Sequence, residues 1–375
     1  MNILIDGRTW SVYAAGISSF LCGALPEWAR QRTQDRFYVV LPKGMDHKTG
    51  ITDLPPNISL LDYSQRFPKW FPNIIILQLL MPWLCRKLKI DLYYAPVPHL
   101  PLLIPSTTQT MVTVHDVVNI EMAETMSWTN RLATKLGFNR AIRKSDCLWT
   151  NSQYTKTKVD TYFSERHCQK IFVGNATDRN VFHVKSLTET EKQAIKKRFG
   201  IKNRFLLFVG SLEPRKNLPF LLSLMTKLYQ EYHVQLVVVG GNRWKDETIT
   251  RLVESPSFPK DSTIFTGYID NSDLTDLYNC ADCYVSAALM EGFGMPQLEA
   301  LLCGCRVVTS HNTAMIELAQ GKSGITTVEG YDAPKWQEAI LKMIDEGETV
   351  NQQQLAEYDW ELIIHHLIEY INAPR

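Results

Sequence analysis

Two glutamates flank a glycine-rich turn, and their types and spacing suit the binding of hydroxyl groups. Glu291 follows the apolar run 284–288, and the segment Gly292-Phe293-Gly294-Met295-Pro296 connects it to Glu299. Proline is common in the first turn of a helix, and glycines let the backbone approach a ligand closely. The pattern therefore predicts a strand, a turn and a helix start, with both carboxylates facing a cleft that could receive sugar or ribose hydroxyls.

Two adjacent cations, Arg215 and Lys216, stand at a second predicted strand-to-helix turn. They follow the apolar run 205–209 within Gly210-Ser211-Leu212-Glu213-Pro214-Arg215-Lys216-Asn217. Arginine binds phosphate oxygens in a bidentate manner and lysine acts as a point charge, so the pair can neutralise a diphosphate leaving group without a metal. A solvated Arg-Lys pair is an ordinary feature, but the position after a buried strand favours the functional interpretation.

The first half of the chain offers Gly16 and the pair His115-Asp116. Gly16 opens an apolar-periodic segment after the first predicted strand, where a helix N-terminus could admit a phosphate, although any turn there needs a glycine. His115 ends the apolar run 111–114 and should reach a cleft. A histidine at a strand end can equally be a satisfied hydrogen-bonding group.

Short apolar runs alternate with segments of helical period, which is typical of parallel strands covered by crossover helices. The predicted strands are Asn2–Ile5, Phe37–Leu41, Leu92–Ala95, Met111–Val114, Cys147–Thr150, Phe205–Val209, Gln235–Val239, Ile264–Phe265, Cys283–Ser286 and Val307–Thr309. The length of 375 residues favours two domains, and the polar stretch after Val173 places their boundary near residue 175. Ligands of such doubly wound sheets bind beyond the carboxyl ends of strands.

The cysteines and the overall charge narrow the classes of function that this chain could have. Cys280-x2-Cys283 and Cys303-x-Cys305 superficially resemble a zinc site, but they lie in or beside apolar runs, so we expect reduced structural cysteines. The net charge is only +1 and no nucleic-acid-binding motif is present, which argues against a nucleic-acid partner. The charged start Met1–Arg8 favours a first strand over an export signal, and we expect a cytoplasmic protein.

The charge is unevenly distributed along the chain. Residues 1–170 hold 20 Lys and Arg against 13 Asp and Glu, whereas the rest holds 20 against 26. The apolar run Ile74–Leu84 is too short to cross a bilayer, but Lys69-Trp70-Phe71 precedes it and Arg86-Lys87 follows. This pattern suits an interfacial helix on the inner face of the plasma membrane, and a core helix with a solvated end is the alternative.

Taken together, these motifs resemble those of one known family. The Glu291-x7-Glu299 pair, the 213–217 turn, Gly16 and His115-Asp116 occur in the expected order. The chain resembles the retaining family 4 glycosyltransferases of GT-B fold over nearly its whole length, and most closely the bacterial mannosyltransferases of polysaccharide and O-antigen assembly. That resemblance implies an α/β fold with two Rossmann-like doubly wound domains facing a cleft.

The resemblance also implies a role for each domain and for individual residues. Residues 1–175 would form the acceptor domain, 176–355 the nucleotide-sugar donor domain, and 356–375 a helix packing back on the first domain. The catalytic residues would be Glu291, His115, Arg215 and Lys216. Donor binding is implied for Gly16, Arg215, Lys216, Tyr268, Ile269, Glu291, Gly292, Phe293, Gly294, Met295 and Glu299.

Within this set, Glu291 would contact the transferred sugar, Glu299 the ribose, and Tyr268-Ile269 the base. The implied reaction retains the anomeric configuration, needs no metal or other cofactor, and delivers the sugar to a glycan or a lipid-linked glycan. GDP-mannose is the favoured donor. UDP- or dTDP-sugars remain alternatives, as does a non-catalytic nucleotide-sugar-binding subunit.

Overall fold

The apolar runs of the chain form the strands of two parallel sheets. We describe them in a computed structural model that covers residues 1–10, 16–41, 54–62, 73–122, 128–241 and 247–373. The chain divides into two compact units: Met1–Thr177 with Glu357–Arg375, and Asp178–Ala356. The boundary predicted near residue 175 lies two residues before this division.

The first unit is built on a seven-stranded sheet in the order β3-β2-β1-β4-β5-β6-β7, with every neighbouring pair parallel. Its strands are β1 Asn2–Asp6, β2 Arg36–Val40, β3 Ile58–Leu61, β4 Leu92–Ala95, β5 Gln109–Val114, β6 Cys147–Thr150 and β7 Ile171–Val173. The sequence did not predict β3 and β7. Both lie at the sheet edges and are only partly buried. Ser59 interrupts the apolar pattern of β3, and β7 is only three residues long.

The second unit is built on a six-stranded parallel sheet in the order β10-β9-β8-β11-β12-β13. Its strands are β8 Arg204–Val209, β9 Val234–Val239, β10 Thr263–Gly267, β11 Cys283–Ser286, β12 Val307–Ser310 and β13 Ile325–Val328. The edge strand β13 was not predicted. In each sheet the strand order reverses once, between β1 and β4 and between β8 and β11.

Helices connect the strands, and their ends follow local capping chemistry. They are α1 Ile17–Gln31, α2 Asn73–Lys87, α3 Val118–Glu121, α4 Trp128–Lys144, α5 Gln153–Tyr162, α6 Glu189–Arg198, α7 Leu218–Tyr232, α8 Glu247–Glu254, α9 Asn271–Cys280, α10 Met295–Leu302, α11 Met315–Ala319, α12 Ala333–Glu346 and α13 Trp360–Asn372. Thr188 and Glu191, for example, form a reciprocal capping box at the start of α6.

The last helix, α13, packs in the core of the first unit. Trp360 makes an edge contact with Phe20 of α1 at a ring distance of 5.1 Å and a second one with Trp149 of β6 at 6.4 Å. Gly23 of α1 leaves room for the indole, because a Cβ at that position would lie 2.0 Å from Nε1 of Trp360. The helix predicted at the end of the chain is therefore part of the first unit.

The cysteines are reduced and mostly buried. All eight are free, and only Cys22 is partly exposed. Burial raises the pKa of the Cys280 thiol to about 11, as expected for an inert structural thiol. Within the described ranges no group of three or more His, Cys, Asp or Glu is placed to hold a metal ion, and no helix is both long and apolar enough to cross a membrane.

Candidate active site

The predicted donor residues lie where the strand order of the second sheet reverses. β8 and β11 are neighbours there, and the loops that follow them carry the Arg215-Lys216 pair and Glu291. Leu289 N donates to Arg215 O over 2.7 Å and joins the two loops. Crevices of this kind, beyond the carboxyl ends of strands at a reversal point, are the usual ligand sites of open α/β sheets.

The loop after β8 presents the two cations on a rigid turn. Pro214–Lys216 form a single 3-10 turn, and Asn217 in the left-handed conformation links it to α7. The Lys216 residue is only 9% exposed. A lysine is rarely so well buried unless it pairs with an acidic side chain, so the acidic partner of Lys216 belongs to the same site.

That partner is Glu291, which contacts both cations. Lys216 Nζ donates to Oε1 of Glu291, and Arg215 Nη1 donates to Oε2 over 3.1 Å. Arg215 Nε also donates to Glu213 Oε2 over 2.7 Å. The structure thus brings together three of the residues predicted to be catalytic.

The loop after β11 is fixed by residues that the sequence analysis missed. Ala288 O accepts hydrogen bonds from Ser310 Oγ at 2.7 Å and from Asn312 Nδ2 and Tyr331 OH at 3.0 Å each. Thr313 Oγ1 accepts from Glu291 N over 3.2 Å. The polar run after β12 could have identified these residues in the sequence. β12 neighbours β11, and parallel neighbouring strands end at the same edge of the sheet.

Glu299 lies on the first turns of α10, in an apolar environment. Its Oε2 accepts from Tyr278 OH of α9 over 3.1 Å, and the residue is 9% exposed. Burial raises the pKa of Glu299 to about 7, although the Tyr278 hydroxyl and the charge of Lys216 both act to lower it. Lys216 therefore influences both glutamates of the predicted pair.

The turn between the glutamates has the predicted backbone geometry. Gly294 has a φ of 89° and caps the N-terminus of α10, whose second residue is Pro296. A residue with a Cβ rarely adopts this positive φ, so the position favours glycine. Gly292 and Phe293 are buried in the same turn and Met295 is partly buried.

Two further predicted donor residues lie farther along the sheet. Tyr268 and Ile269 follow β10, which is the edge strand separated from β8 by β9. Tyr268 is 55% exposed and Ile269 is partly buried. They share the carboxyl edge of the sheet with the Glu291 cluster.

The first unit has its own reversal point, between β1 and β4. Asp6 ends β1 and holds Arg8 in a bidentate ion pair, with Nε–Oδ1 at 2.7 Å and Nη2–Oδ2 at 2.8 Å. The sequence analysis did not single out either residue, although both follow the first predicted strand. Gly16, which was singled out, is exposed, has a φ of 49° and caps the N-terminus of α1.

His115 follows β5 and is held in a neutral state. Its Nε2 lies 2.8 Å from Pro96 O, a contact that requires the Nε2–H form, and its ring meets Phe20 edge-on at 5.0 Å. Burial of the ring lowers the pKa of His115 to about 4. The residue is therefore a neutral hydrogen-bonding group near pH 7, as the structural interpretation of this strand end anticipated.

The two parallel α/β units have the fold of GT-B type. Sucrose-phosphate synthase from Thermosynechococcus elongatus matches 99% of this chain and 98% of its own with a TM-score of 0.75 and 17% identity. Anabaena HepE in complex with UDP and glucose matches 99% of both chains with a TM-score of 0.71 and 19% identity. At such low identity these matches establish the fold.

Residues 189–360, most of the second unit, match the family model of glycosyl transferases group 1. A serotype-specific mannosyltransferase, WbdA, from Escherichia coli is 29% identical over 178 residues, which are 47% of this chain and 22% of the relative. The Escherichia coli O-antigen chain mannosyltransferase B is 36% identical over 124 residues, 32% of each chain. The chain thus spans less than a third of the length of these relatives, and the resemblance expected from its motifs is confirmed.

Proposed function

We propose that this protein is a retaining glycosyltransferase that moves mannose from GDP-mannose to a hydroxyl of a glycan or lipid-linked glycan. The observation that carries the proposal is the contact of Glu291 with both Arg215 and Lys216 at the reversal point of the second sheet. One carboxylate and two cations beside a helix N-terminus suit a sugar joined to a diphosphate.

The cations would stabilise the leaving group. Negative charge develops on the diphosphate as the anomeric bond breaks, and Arg215 and Lys216 would receive it in a partly dry site. Each cation would exchange its bond to Glu291 for bonds to phosphate oxygens, which would free the carboxylate to contact the sugar. The proposal needs no metal, so activity should persist in excess chelator.

The other predicted residues take supporting roles. Glu299 would accept hydrogen bonds from ribose hydroxyls, the 292–295 turn would offer backbone N–H groups to the sugar, and Tyr268 with Ile269 would lie beside the base. Gly16 and neutral His115 in the first unit would contribute to the phosphate and sugar ends of the donor. The leaving phosphate would take the acceptor proton during front-face attack, so no protein base is assigned.

The choice of mannose follows the relatives. Two Escherichia coli proteins that match part of this chain bear mannosyltransferase names. A UDP- or dTDP-sugar donor is the alternative within the same chemistry, and a subunit that binds a nucleotide sugar without transfer is the alternative outside it. We further propose a cytoplasmic protein whose basic first unit contacts an anionic membrane peripherally.

Nucleotide-dependent stability tests this proposal. Thermal unfolding of the protein is measured without nucleotide and with GDP, UDP, dTDP or ADP. A ligand at 100 times its dissociation constant adds about 2.7 kcal/mol to the free energy of unfolding. A shift with GDP, followed by transfer of labelled mannose from GDP-mannose to a mannose-containing glycan, supports the proposal. A shift with UDP or dTDP alone rules out GDP-mannose as the donor, and no shift with any nucleotide contradicts the donor site itself.

A further inference from the structure

Helix α2 is apolar on two faces, and only one of them is buried. Leu77, Met81 and Leu84 face the interior, with exposures of 2% or less. On the opposite side Ile75, Leu79 and Trp83 recur every fourth residue and are 37%, 57% and 40% exposed. Residues four apart lie on one face of a helix, so α2 presents an apolar stripe to its surroundings.

A loop beside α2 widens this stripe. Leu102 and Leu103 follow β4 and are 62% and 65% exposed. Leu102 N donates to Gln78 Oε1 of α2 over 2.7 Å, and Arg86 Nη2 of α2 donates to Leu103 O over 3.3 Å. Backbone contacts therefore hold these leucines against the exposed side of α2.

Helix α4 joins the same surface from the other side of the loop. Arg140 Nη1 donates to Leu100 O over 2.9 Å. Leu136, one turn earlier on the same face of α4, is 66% exposed. Of the 14 large hydrophobic residues exposed in the described ranges, six form this surface, which we call the α2 patch: Ile75, Leu79, Trp83, Leu102, Leu103 and Leu136.

Basic side chains border the α2 patch. Among the side chains that the structure describes, the exposed cations on its elements and at their ends are Arg86, Lys87, Lys89, Arg143 and Lys144. Lys87 Nζ lies 4.7 Å from the centre of the Trp83 ring. The segments 73–90, 96–108 and 136–144, which supply the patch and these cations, contain no Asp or Glu. A large exposed apolar face bordered by basic side chains marks an interaction site.

We propose that the α2 patch binds the surface of an anionic lipid bilayer, with leucines and Trp83 entering the headgroup region and the basic border contacting lipid phosphates. Apolar side chains with a basic border are the composition of interfacial elements, and tryptophan favours that depth. A second copy of this chain fits less well, because a two-fold contact would bring like charges together. The proposal deepens the membrane contact proposed above and extends the predicted basic-aromatic segment, whose Lys69-Trp70-Phe71 lies outside the described residues.

Vesicle co-sedimentation tests the assignment with the full chain. The unmodified protein should bind vesicles containing phosphatidylglycerol, bind vesicles of phosphatidylcholine alone far more weakly, and lose affinity as salt is raised. Leu79→Asp with Leu103→Asp, both at exposed positions, should lower the affinity at least about tenfold because they remove apolar insertion and add negative charge. Lys87→Glu with Lys144→Glu should lower it by a similar factor, since each basic residue near the surface contributes about fivefold.

Matched variants outside the patch control for exposure and charge. Leu362→Asp changes a leucine that is 40% exposed on α13, and Lys227→Glu changes an exposed lysine of α7. Both should bind vesicles as the unmodified protein does. Thermal unfolding of every variant, alone and with the nucleotide that stabilises the unmodified chain, checks the fold and the donor site.

Three results would overturn the proposal. They are no binding to anionic vesicles at low salt, equal binding by the patch variants and the controls, and self-association of the unmodified protein that the patch variants abolish. The last would assign the surface to a second copy. Because the nucleotide shift is measured separately, failure of membrane binding and failure of the transferase proposal are distinguishable.

Discussion

The ammonium of Lys216 and the carboxylate of Glu291 form an ion pair in which both side chains are nearly buried, at 11% and 12% exposure. Arg215 contacts the second oxygen of the same carboxylate at 3.1 Å. A buried pair of this kind adds little stability overall, whereas removing one partner leaves a charge without compensation. The pair therefore links stability to the proposed donor chemistry.

Substitution at this pair should separate the two roles. Glu291→Ala removes the carboxylate that Lys216 contacts and one of the two that Arg215 contacts. It should lower the free energy of unfolding by about 1–3 kcal/mol, whereas Glu291→Gln keeps an acceptor and should cost less. Lys216→Met with Glu291→Gln removes both charges and should be more stable than Glu291→Ala. All three should lose transfer activity by orders of magnitude. Urea unfolding and sugar transfer measure the two effects, and normal transfer by any of them would refute the assigned site.

Glu299 should make stability depend on pH in an unusual direction. Its pKa is about 7 in the folded chain against an ordinary value of 4.5, so the folded state binds more protons than the unfolded state between these values. The cost of burying the carboxylate therefore appears as pH rises through this window. Glu299→Gln should gain stability relative to the unmodified protein between about pH 4.5 and about pH 8.

Urea titrations across this range, with Glu348→Gln at an exposed loop position as the control, measure the effect of Glu299. A stability difference that is constant with pH would contradict the raised pKa. Lys216→Met should raise the pKa of Glu299 further, because the ammonium acts to lower it.

His115 should act in the opposite direction. Its pKa is about 4 in the folded chain against 6.5 ordinarily, so the unfolded state binds the extra proton. Stability attributable to the neutral ring is present above about pH 6.5 and is lost as pH falls toward 4. His115→Gln, which keeps a donor for Pro96 O, should lose less stability between pH 7 and pH 4.5 than the unmodified protein. His366→Gln on the exposed side of α13 should follow the unmodified curve.

Gly23 should reverse the usual preference of helices for alanine. Replacing a helical glycine by alanine normally stabilises by about 1 kcal/mol. At Gly23 the added Cβ would lie 2.0 Å from Trp360 Nε1, so Gly23→Ala should destabilise by displacing α13. Gly137→Ala in α4, where the added carbon meets nothing within 4 Å beyond its own helix backbone and chain neighbours, should stabilise. Thermal unfolding compares the two variants. Equal shifts in unfolding temperature would show that α13 can move away from the added methyl group without loss of stability.

The extent to which this structure follows from sequence varies from element to element. Strands such as β4 and β11 are buried on both faces and are continuous apolar runs, so their bounds were predicted to the residue. The edge strand β13 was missed because Thr326 and Thr327 interrupt its apolar pattern. The turn at Gly294 was predictable because glycine permits a positive φ and Pro296 fixes φ in the first turn of the helix.

The partners of the site residues were not predictable in the same way. The contact of Glu291 with both cations joins residues 75 and 76 positions apart and depends on β8 and β11 being neighbours. Tyr278 is an unremarkable tyrosine in its helix, and only the packing of α9 against α10 places its hydroxyl on Glu299. Sequence patterns indicate residue types and local backbone geometry. Side-chain contacts between distant segments depend on the whole fold.

The membership of α13 in the first unit has a consequence for synthesis on the ribosome. The first unit takes in Glu357–Arg375, so its core lacks Trp360 until the whole of Asp178–Ala356 has been translated. At roughly 5–20 residues per second this delay is on the order of ten seconds or more. The second unit is continuous in sequence and can complete its fold first. Until α13 is made, α1 exposes an apolar face that chaperones would recognise.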